Sequence, residues 1–395
     1  MKKIMLYCQY LAGMGHLVRS AEISRALMSQ FQVCFVNGGQ PIAGFEFPAG
    51  LEVQYLPPIL EEAGKLKAAD GSSIEAVKEA RKNRLLEIFD QFQPDCLMIE
   101  CFPFSKHKLK FELVPLLDRA KASPRSVKVV CSLRDLIMTQ NFEPEVLEKR
   151  CDKVCDLINH YFDLVMVHSD PQLVRLEEQF PAVDRLNCEV FYTGYVAQAE
   201  SARSSLSAED KTALHPHKPM IVVSAGGGRF GYELLDAVIE VSQILEADIP
   251  HAFQIFTGPF MADEEVESLQ KRASKNVVVR RYTANLNEYM RQADLSISLG
   301  GYNTTMNILR TRVRSLIFPE ASEEQTGEQT IRAEKLAAKG VLQVLYRDDL
   351  QPDRLAQTVL NALQQPPIAH NFDLQGAARS TVRLQELLNE SAIAA

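Results

Sequence analysis

The sequence predicts an α/β protein of two domains, each a parallel β-sheet covered by helices, and three observations predict it. Short β-rich runs alternate with stretches of helical length along the 395 residues, and strands that are apolar on both faces belong to parallel sheets buried under helices. The alternation runs twice, breaking after EVFYTGYV and restarting at MIVVSAG. Each half opens with a strand that runs into glycines and then a helix, GMGHLVRSAEISRAL in the first and GGGRFGYELLDAVIEV in the second. Two Rossmann-like domains facing each other across a cleft follow, and the length, too great for one typical core, agrees.

In chain order, the first half carries the strands IMLYCQY, QVCFVNG, EVQYLP, CLMIECF, VKVVCSL, LVMVHSD and EVFYTGYV, and the second MIVVSAG, AFQIFTG, VVVRRY, LSISLG, RSLIFP and VLQVLY. Between them, Ala197 to Lys218 turns to Ser, Ala, His and charge, with Pro216 and Pro219 at its end. That stretch reads as an interdomain linker. The expected division is a domain over 1–196, a linker over 197–218, a domain over 219–370 and a final helix within 371–395, where FDLQGAARSTVRLQELLNE spaces its apolar residues helically. Residues Ile59 to Lys82, rich in Glu, Lys, Ala and Ser, are expected to form a mobile excursion over the cleft.

Composition excludes several classes. A formal charge of -8 argues against nucleic acid as a partner, which needs a basic face. Met1-Lys2-Lys3 leads straight into a strand, unlike a signal peptide, and no apolar run approaches the ~20 residues of a membrane span. The 8 Cys lie in apolar strands or helical stretches without CxxC spacing, so a reduced, cytoplasmic protein without structural zinc is expected.

The candidate site residues fall at strand ends. Gly13-Met14-Gly15-His16 follows the first strand, and a His there has the acidity for general-base work, although a merely exposed His would look the same. Arg19, in the first helical turn, opposes the helix dipole and calls for a negative partner, either Glu22 on the next turn or a substrate anion. Glu100 ends CLMIECF and would orient the His16 imidazole if the two strands are neighbours. Arg134-Asp135 would enter the same cleft as an internal ion pair. In the second half, Ser224 to Gly228 and Arg229 form a glycine turn before a helix, which could hold a diphosphate without metal. Gly300-Gly301 and Asn303-Thr304-Thr305 open another helix beyond a strand end, although these residues could equally be simple caps. No Walker lysine and no acidic ribose reader follow the glycines, against an NTPase and a dehydrogenase. The segment FPFSKHKLKFELVPLL interleaves Phe102, Phe104, Leu109 and Phe111 with Lys106, Lys108 and Lys110. It reads as a partly buried helix with a solvated basic face, with contact to an apolar or anionic acceptor or a membrane surface as the alternative.

Taken in order, GMGHLVRS, IECF, SAGGG, GGYNTTMN and the Gln-containing loop beyond resemble a GT-B nucleotide-sugar glycosyltransferase of the MurG-like and bacterial predicted-glycosyltransferase group. GGYNTTMN resembles the GWNSTLE stretch of plant UDP-sugar glycosyltransferases. The resemblance implies diphosphate contacts for Gly301, Asn303, Thr304 and Thr305, beside those expected of the turn at Gly226, Gly227, Gly228 and Arg229, sugar contacts for Glu328-Gln329, and a nucleobase held near Tyr282-Thr283. Asn307 stands where the family places a ribose-binding Glu, a departure that loosens donor identity. It also implies His16 as base and Glu100 as its orienting carboxylate, and the division of labour between the domains puts Gly13, Gly15, Arg19 and Arg134 on the acceptor side. The expected activity is inverting, metal-independent sugar transfer from a UDP-sugar co-substrate, with no other cofactor, to a small-molecule, lipid-linked or glycan hydroxyl. The location is cytoplasmic, with peripheral contact at the inner membrane face left open. Two alternatives stand beside it: a UDP-sugar hydrolase, whose GxGHxxR the first loop resembles, and a nucleotide-sugar-binding protein without turnover.

Overall fold

Val, Ile, Leu and Cys fill the short runs of this chain, and as expected of such runs they become buried parallel strands. The computed structural model describes residues 1–393 apart from 12–13, 43, 63, 138–141, 200–205, 215–218, 248 and 320–326. The chain divides into two compact units, Met1–Pro41 with Glu46–Ala197 and Phe372–Ala395, and Ile42–Phe45 with Gln198–Asn371.

The first unit contains β1 (Lys3–Cys8), α1 (Gly15–Leu27), β2 (Gln32–Asn37), β3 (Glu52–Tyr55), β4 (Ile59–Glu62), β5 (Lys65–Ala68), α2 (Ile74–Phe92), β6 (Cys96–Glu100), α3 (Lys110–Lys121), β7 (Lys128–Arg134), α4 (Pro144–Tyr161), β8 (Leu164–His168) and β9 (Glu189–Tyr192). Its seven-stranded sheet runs β3-β2-β1-β6-β7-β8-β9, all parallel. Residues Ile4 to Tyr7 of β1 pair with Val33 to Val36 on one side and with Cys96 to Ile99 on the other. The strand order therefore reverses between β1 and β6, and a crevice opens beyond the carboxyl ends of strands at such a point. Both expected site loops of this half leave the sheet there.

The second unit contains α5 (Ala208–Ala213), β10 (Met220–Ser224), α6 (Tyr232–Leu245), β11 (Ala252–Phe256), α7 (Asp263–Arg272), β12 (Val277–Arg280), α8 (Leu286–Gln292), β13 (Leu295–Leu299), α9 (Tyr302–Thr311), β14 (Ser315–Phe318), α10 (Glu328–Ala338), β15 (Gln343–Val344) and α11 (Pro352–Leu363). Its parallel sheet runs β12-β11-β10-β13-β14-β15, and β10 takes β11 on one side and β13 on the other. The glycine turn after β10 and the helix start after β13 thus share this sheet's own reversal point. The final helix, α12 (Gly376–Ile393), groups with the first unit, where Leu384, Leu387 and Leu388 are buried and Arg383 reaches Glu189 at 2.6 Å.

Two sequence expectations change. Residues 59–82 are an antiparallel hairpin, β4 paired with β5, followed by the start of α2; Ile59 is in the core, so charge along the segment masked a buried edge. The 197–218 stretch holds α5, capped by Ser207. Asp210 fixes that helix to the second unit, accepting from Tyr289 Oη at 2.7 Å, Asn285 Nδ2 at 3.0 Å and Arg280 Nη1 at 3.1 Å. All 8 cysteines are free thiols.

Candidate active site

In the first unit, α1 starts within the loop after β1, and its first turn presents His16 toward the end of β6. His16 Nδ1 lies 2.6 Å from Glu100 Oε1. Glu100 is fully buried, and it holds more than the His: Arg19 Nη2 bonds the same oxygen, Lys106 Nζ bonds Oε2, and Cys101 Sγ donates to Oε1 at 3.0 Å. Burial alone would lift the Glu100 carboxyl, but His16, Lys106 and Arg19 hold it well below the usual carboxylate range. We attribute the direction chiefly to Lys106 and Arg19, because burial pushes His16 itself down to about 3, with Lys106 and Arg134 adding to the fall and Glu100 opposing it. At neutral pH the ring is uncharged, even though a quarter of its side-chain surface (25%) reaches solvent. A neutral imidazole facing a carboxylate carries its proton on that side, at Nδ1, which leaves Nε2 as the basic nitrogen.

The other expected residues of this half are placed differently. Arg19 is 1% exposed and bonded to Glu100, so neither Glu22 nor a substrate anion is the partner the sequence left open; Glu22 instead faces Arg25 at 3.4 Å. Gly15 opens α1 at the surface, and Gly13 lies outside the described residues. Arg134 ends β7 half-buried, whereas Asp135 is 1% exposed. Phe102, Phe104 and Leu109 are in the core, and Lys108 pairs with Glu61. The FPFSKHKLKFELVPLL segment therefore offers no exposed stripe for a membrane or apolar acceptor. Lys106 is the functional candidate that sequence reasoning missed, because it stands among lysines that read as a solvated face.

A ring nitrogen of His16, a Glu100 oxygen and Cys101 Sγ lie within 4.8 Å of one another, close enough to bracket a metal ion. The donor set does not fit one. Both carboxylate oxygens already serve cations, whose charges would repel an ion, and burial with Glu100 beside it pushes the Cys101 thiol up, away from the thiolate a metal needs.

Next along the sheet, His168 at the end of β8 is fully buried, its Nε2 2.8 Å from Ser132 Oγ and its Nδ1 2.9 Å from Thr193 Oγ1. Burial pushes its pKa down to about 3, and Arg19 adds to the fall. The folded value lies below the unfolded one of ~6.5, so the unfolded chain binds the proton first and stability drops as pH falls from about 6.5 toward 3. At pH 5 this one group should account for about 2 kcal/mol of lost stability. His168→Asn, which keeps a donor and an acceptor but no titration, should lose correspondingly less between pH 7 and pH 5 in urea denaturation. Equal losses in the two proteins would show that His168 is not the source.

In the second unit, the turn after β10 is shaped by glycine. Gly228 has φ +83, and a Cβ there would lie 2.3 Å from the Thr257 carbonyl oxygen. Gly228 N donates to Ala225 O at 3.1 Å, Phe260 N to Gly227 O at 3.0 Å, and Gly226 N to Ser224 Oγ at 3.2 Å. The turn is thus pinned against Thr257-Gly258 while Gly226 remains exposed. Opposite it, Gly301 caps α9, and a Cβ on Gly301 would meet nothing within 4 Å among the described residues. Thr304 Oγ1 is 3.9 Å from where a Gly226 Cβ would stand, so the two loops adjoin. Thr305 Oγ1 turns back to Gly301 O at 3.0 Å, which makes it a cap in this structure, and Asn303 is half-buried beside it. Below, Arg332 is fully buried, donates to Gly300 O at 3.2 Å and stacks on Tyr302.

Glu328 and Gln329 open α10, and Gln329 packs against Gly300, 3.3 Å from a Cβ placed there. Arg229 is exposed over the Phe230 ring. Tyr282 is half-buried and Thr283 Oγ1 accepts from Asn285 N at 3.0 Å; both follow β12, at the sheet's far edge. Asn307, 2% exposed, gives its Nδ2 to Gln198 Oε1 at 2.8 Å. What this unit can do chemically is present the N-terminus of α9 beside a glycine turn that lets a ligand approach closely, an arrangement suited to a diphosphate.

Residues 220–381 match the glycosyltransferase family 28 C-terminal domain. A UDP-N-acetylglucosamine--N-acetylmuramyl-(pentapeptide) pyrophosphoryl-undecaprenol N-acetylglucosamine transferase of Bacillus licheniformis is 24% identical over 261 residues, 65% of this chain and 66% of the relative, just under two thirds of its length. Among solved structures, the glycotransferase of kitacinnamycin superposes with a TM-score of 0.61 at 15% identity over 98% of both chains. MurG of Acinetobacter baumannii does so at 0.55 and 12% identity, over 99% of this chain and 100% of that one.

Proposed function

We propose that this chain, a MurG-like glycosyltransferase of the GT-B fold, transfers a sugar with inversion from a UDP-sugar to an acceptor hydroxyl. The observation that carries the reading is the contact of His16 Nδ1 with Glu100 Oε1 at 2.6 Å at the reversal point of the first sheet. His16 Nε2 takes the acceptor proton as the acceptor oxygen attacks the anomeric carbon, and the bond from that carbon to the diphosphate breaks. Charge left on the diphosphate is met by N–H groups of the α9 start at Gly301 to Asn303, beside the glycine turn, whose Gly226 and Gly228 N–H groups are taken up in holding its own shape. Arg229, Thr304, Glu328, Gln329, Tyr282 and Thr283 surround the donor in this reading, whereas Thr305 is taken up in capping α9 and Asn307 is buried with its amide on Gln198, so the donor contacts expected of these two are not carried over. The acceptor, a small-molecule, lipid-linked or glycan hydroxyl, is taken by the first domain. No helix among the described residues is long and apolar enough to cross a membrane.

Among the described residues, the groups at the glycine turn and the α9 start are amides and hydroxyls rather than clustered carboxylates, and hard cations need oxygen cages. UDP should therefore bind equally with and without EDTA in calorimetry, and Asn303→Ala should weaken it. Loss of binding on chelation would overturn the metal-free reading. One observation favours a second reaction on the same residues: His16, Arg19 and Glu100 form a single cluster, and water in the acceptor's place would make it a hydrolase. Product analysis separates them, since transfer yields a glycosylated acceptor and hydrolysis yields free sugar.

A further inference from the structure

A carboxylate 2.6 Å from an imidazole ordinarily favours the charged ring, and a ring already protonated at neutral pH cannot accept a proton. The molecule meets this conflict with cations. Arg19 Nη2 bonds Glu100 Oε1 and Lys106 Nζ bonds Oε2, so neither oxygen is left to His16 alone. Resting on the reading of His16 as base, we infer that Lys106 is a positioning residue for it: with Arg19, it neutralises Glu100, so that the carboxylate orients the ring without charging it.

Three observations carry this. Lys106 is held with φ +61, a left-handed conformation that is unfavourable for a residue with a Cβ and that Gly or Asn would adopt more readily. Its ammonium is tethered twice, to Glu100 and to the carbonyl of Gln9 just after β1, which fixes it between the two strand ends that carry the site. Its side chain is only 10% exposed, in contrast to the 45% of Lys108, so it is not one of the solvated lysines around it. The charged and titratable groups acting on the cluster are Arg19 from α1, Cys8 from β1, Glu100 and Cys101 from β6 and its turn, Arg134 from β7, and His168 from β8. Among them Glu100 alone is a carboxylate, and of the two cations bonded to it Lys106 is the one that can be removed without touching α1.

The test follows the His16 ring by NMR through a pH titration of the full-length protein, beside the pH dependence of turnover. In the wild type, His16 should stay neutral at pH 6. In Lys106→Met its midpoint should rise by about one pH unit or more, and the acid limb of turnover should move up with it. Lys106→Arg should restore the wild-type midpoint. Lys106→Gln, which can still donate to the Gln9 carbonyl, serves if the Met variant is poorly folded and should show the same rise. An unchanged His16 midpoint in the uncharged variants would overturn the inference, whatever the activity. A midpoint that moves while the turnover profile stays fixed would uphold the role of Lys106 and instead remove His16 as the base.

Discussion

His16→Ala should lower turnover by roughly 10²- to 10⁴-fold, the usual contribution of a positioned general base, while calorimetry should give nearly the wild-type affinity for UDP. The division follows from placement: His16 starts α1 in the first unit, and the glycine turn and α9 belong to the second. Glu100→Gln should also slow turnover, through a ring whose tautomer is no longer fixed. Because the two residues act through one contact, the double variant should be far less impaired than the product of the single effects. Glu100 has a further duty, since Arg19 at 1% exposure loses its counter-charge in that variant and a buried charge left alone is strongly destabilising. Turnover of Glu100→Gln must therefore be read at a temperature where circular dichroism shows it folded. Independent, multiplicative losses in folded protein would reject the pair. Full activity of both single variants on the true acceptor would reduce the loop to a binding turn.

How far the sequence carried this site depends on what local pattern can encode. Strands were legible because Val, Ile, Leu and Cys runs in a parallel sheet are apolar on both faces, and glycines at Gly226 to Gly228 were legible because backbone conformation is a local property. The nearness of His16 and Glu100 followed from two strand ends, and β1 beside β6 made it geometry. Lys106 was not legible: six residues beyond Glu100, it reaches the carboxylate only because the chain turns through left-handed Cys101 and Lys106, at φ +59 and +61, which no spacing rule anticipates. Arg19 was legible as a cation needing a partner, but choosing Glu100 over Glu22 required knowing that the helix face carrying it is buried. The β4–β5 hairpin was hidden because half the residues of its short strands are charged.

Arg81→Met should cost roughly 3–5 kcal/mol of folding stability, the range for removing one partner of a buried ion pair. Arg81 and Glu112 are both fully buried, and the guanidinium reaches both carboxylate oxygens, Nε to Oε2 at 2.8 Å and Nη2 to Oε1 at 2.7 Å. It also donates to the carbonyls of Gly38 at 2.9 Å and Pro57 at 2.6 Å and to Gln9 Oε1 at 2.7 Å, while Tyr7 Oη donates to Glu112 at 2.5 Å. One side chain from α2 thereby satisfies loops after β1, β2 and β3. Removing it strands a carboxylate and two carbonyls away from water, and each unmet group carries its own desolvation cost. The loss should appear in urea denaturation as a lower midpoint with an unchanged slope. The pair Arg81→Met with Glu112→Leu should be less destabilised than Arg81→Met alone, because it removes the isolated charge as well. A double variant no better than the single, or a single loss below about 1 kcal/mol, the size of an exposed pair, would mean that water reaches this cluster. Gln9 binds Arg81 through its side chain and Lys106 through its carbonyl. Arg81→Met in still-folded protein should therefore disturb turnover through the Lys106 tether while leaving UDP binding, in the other unit, as it was.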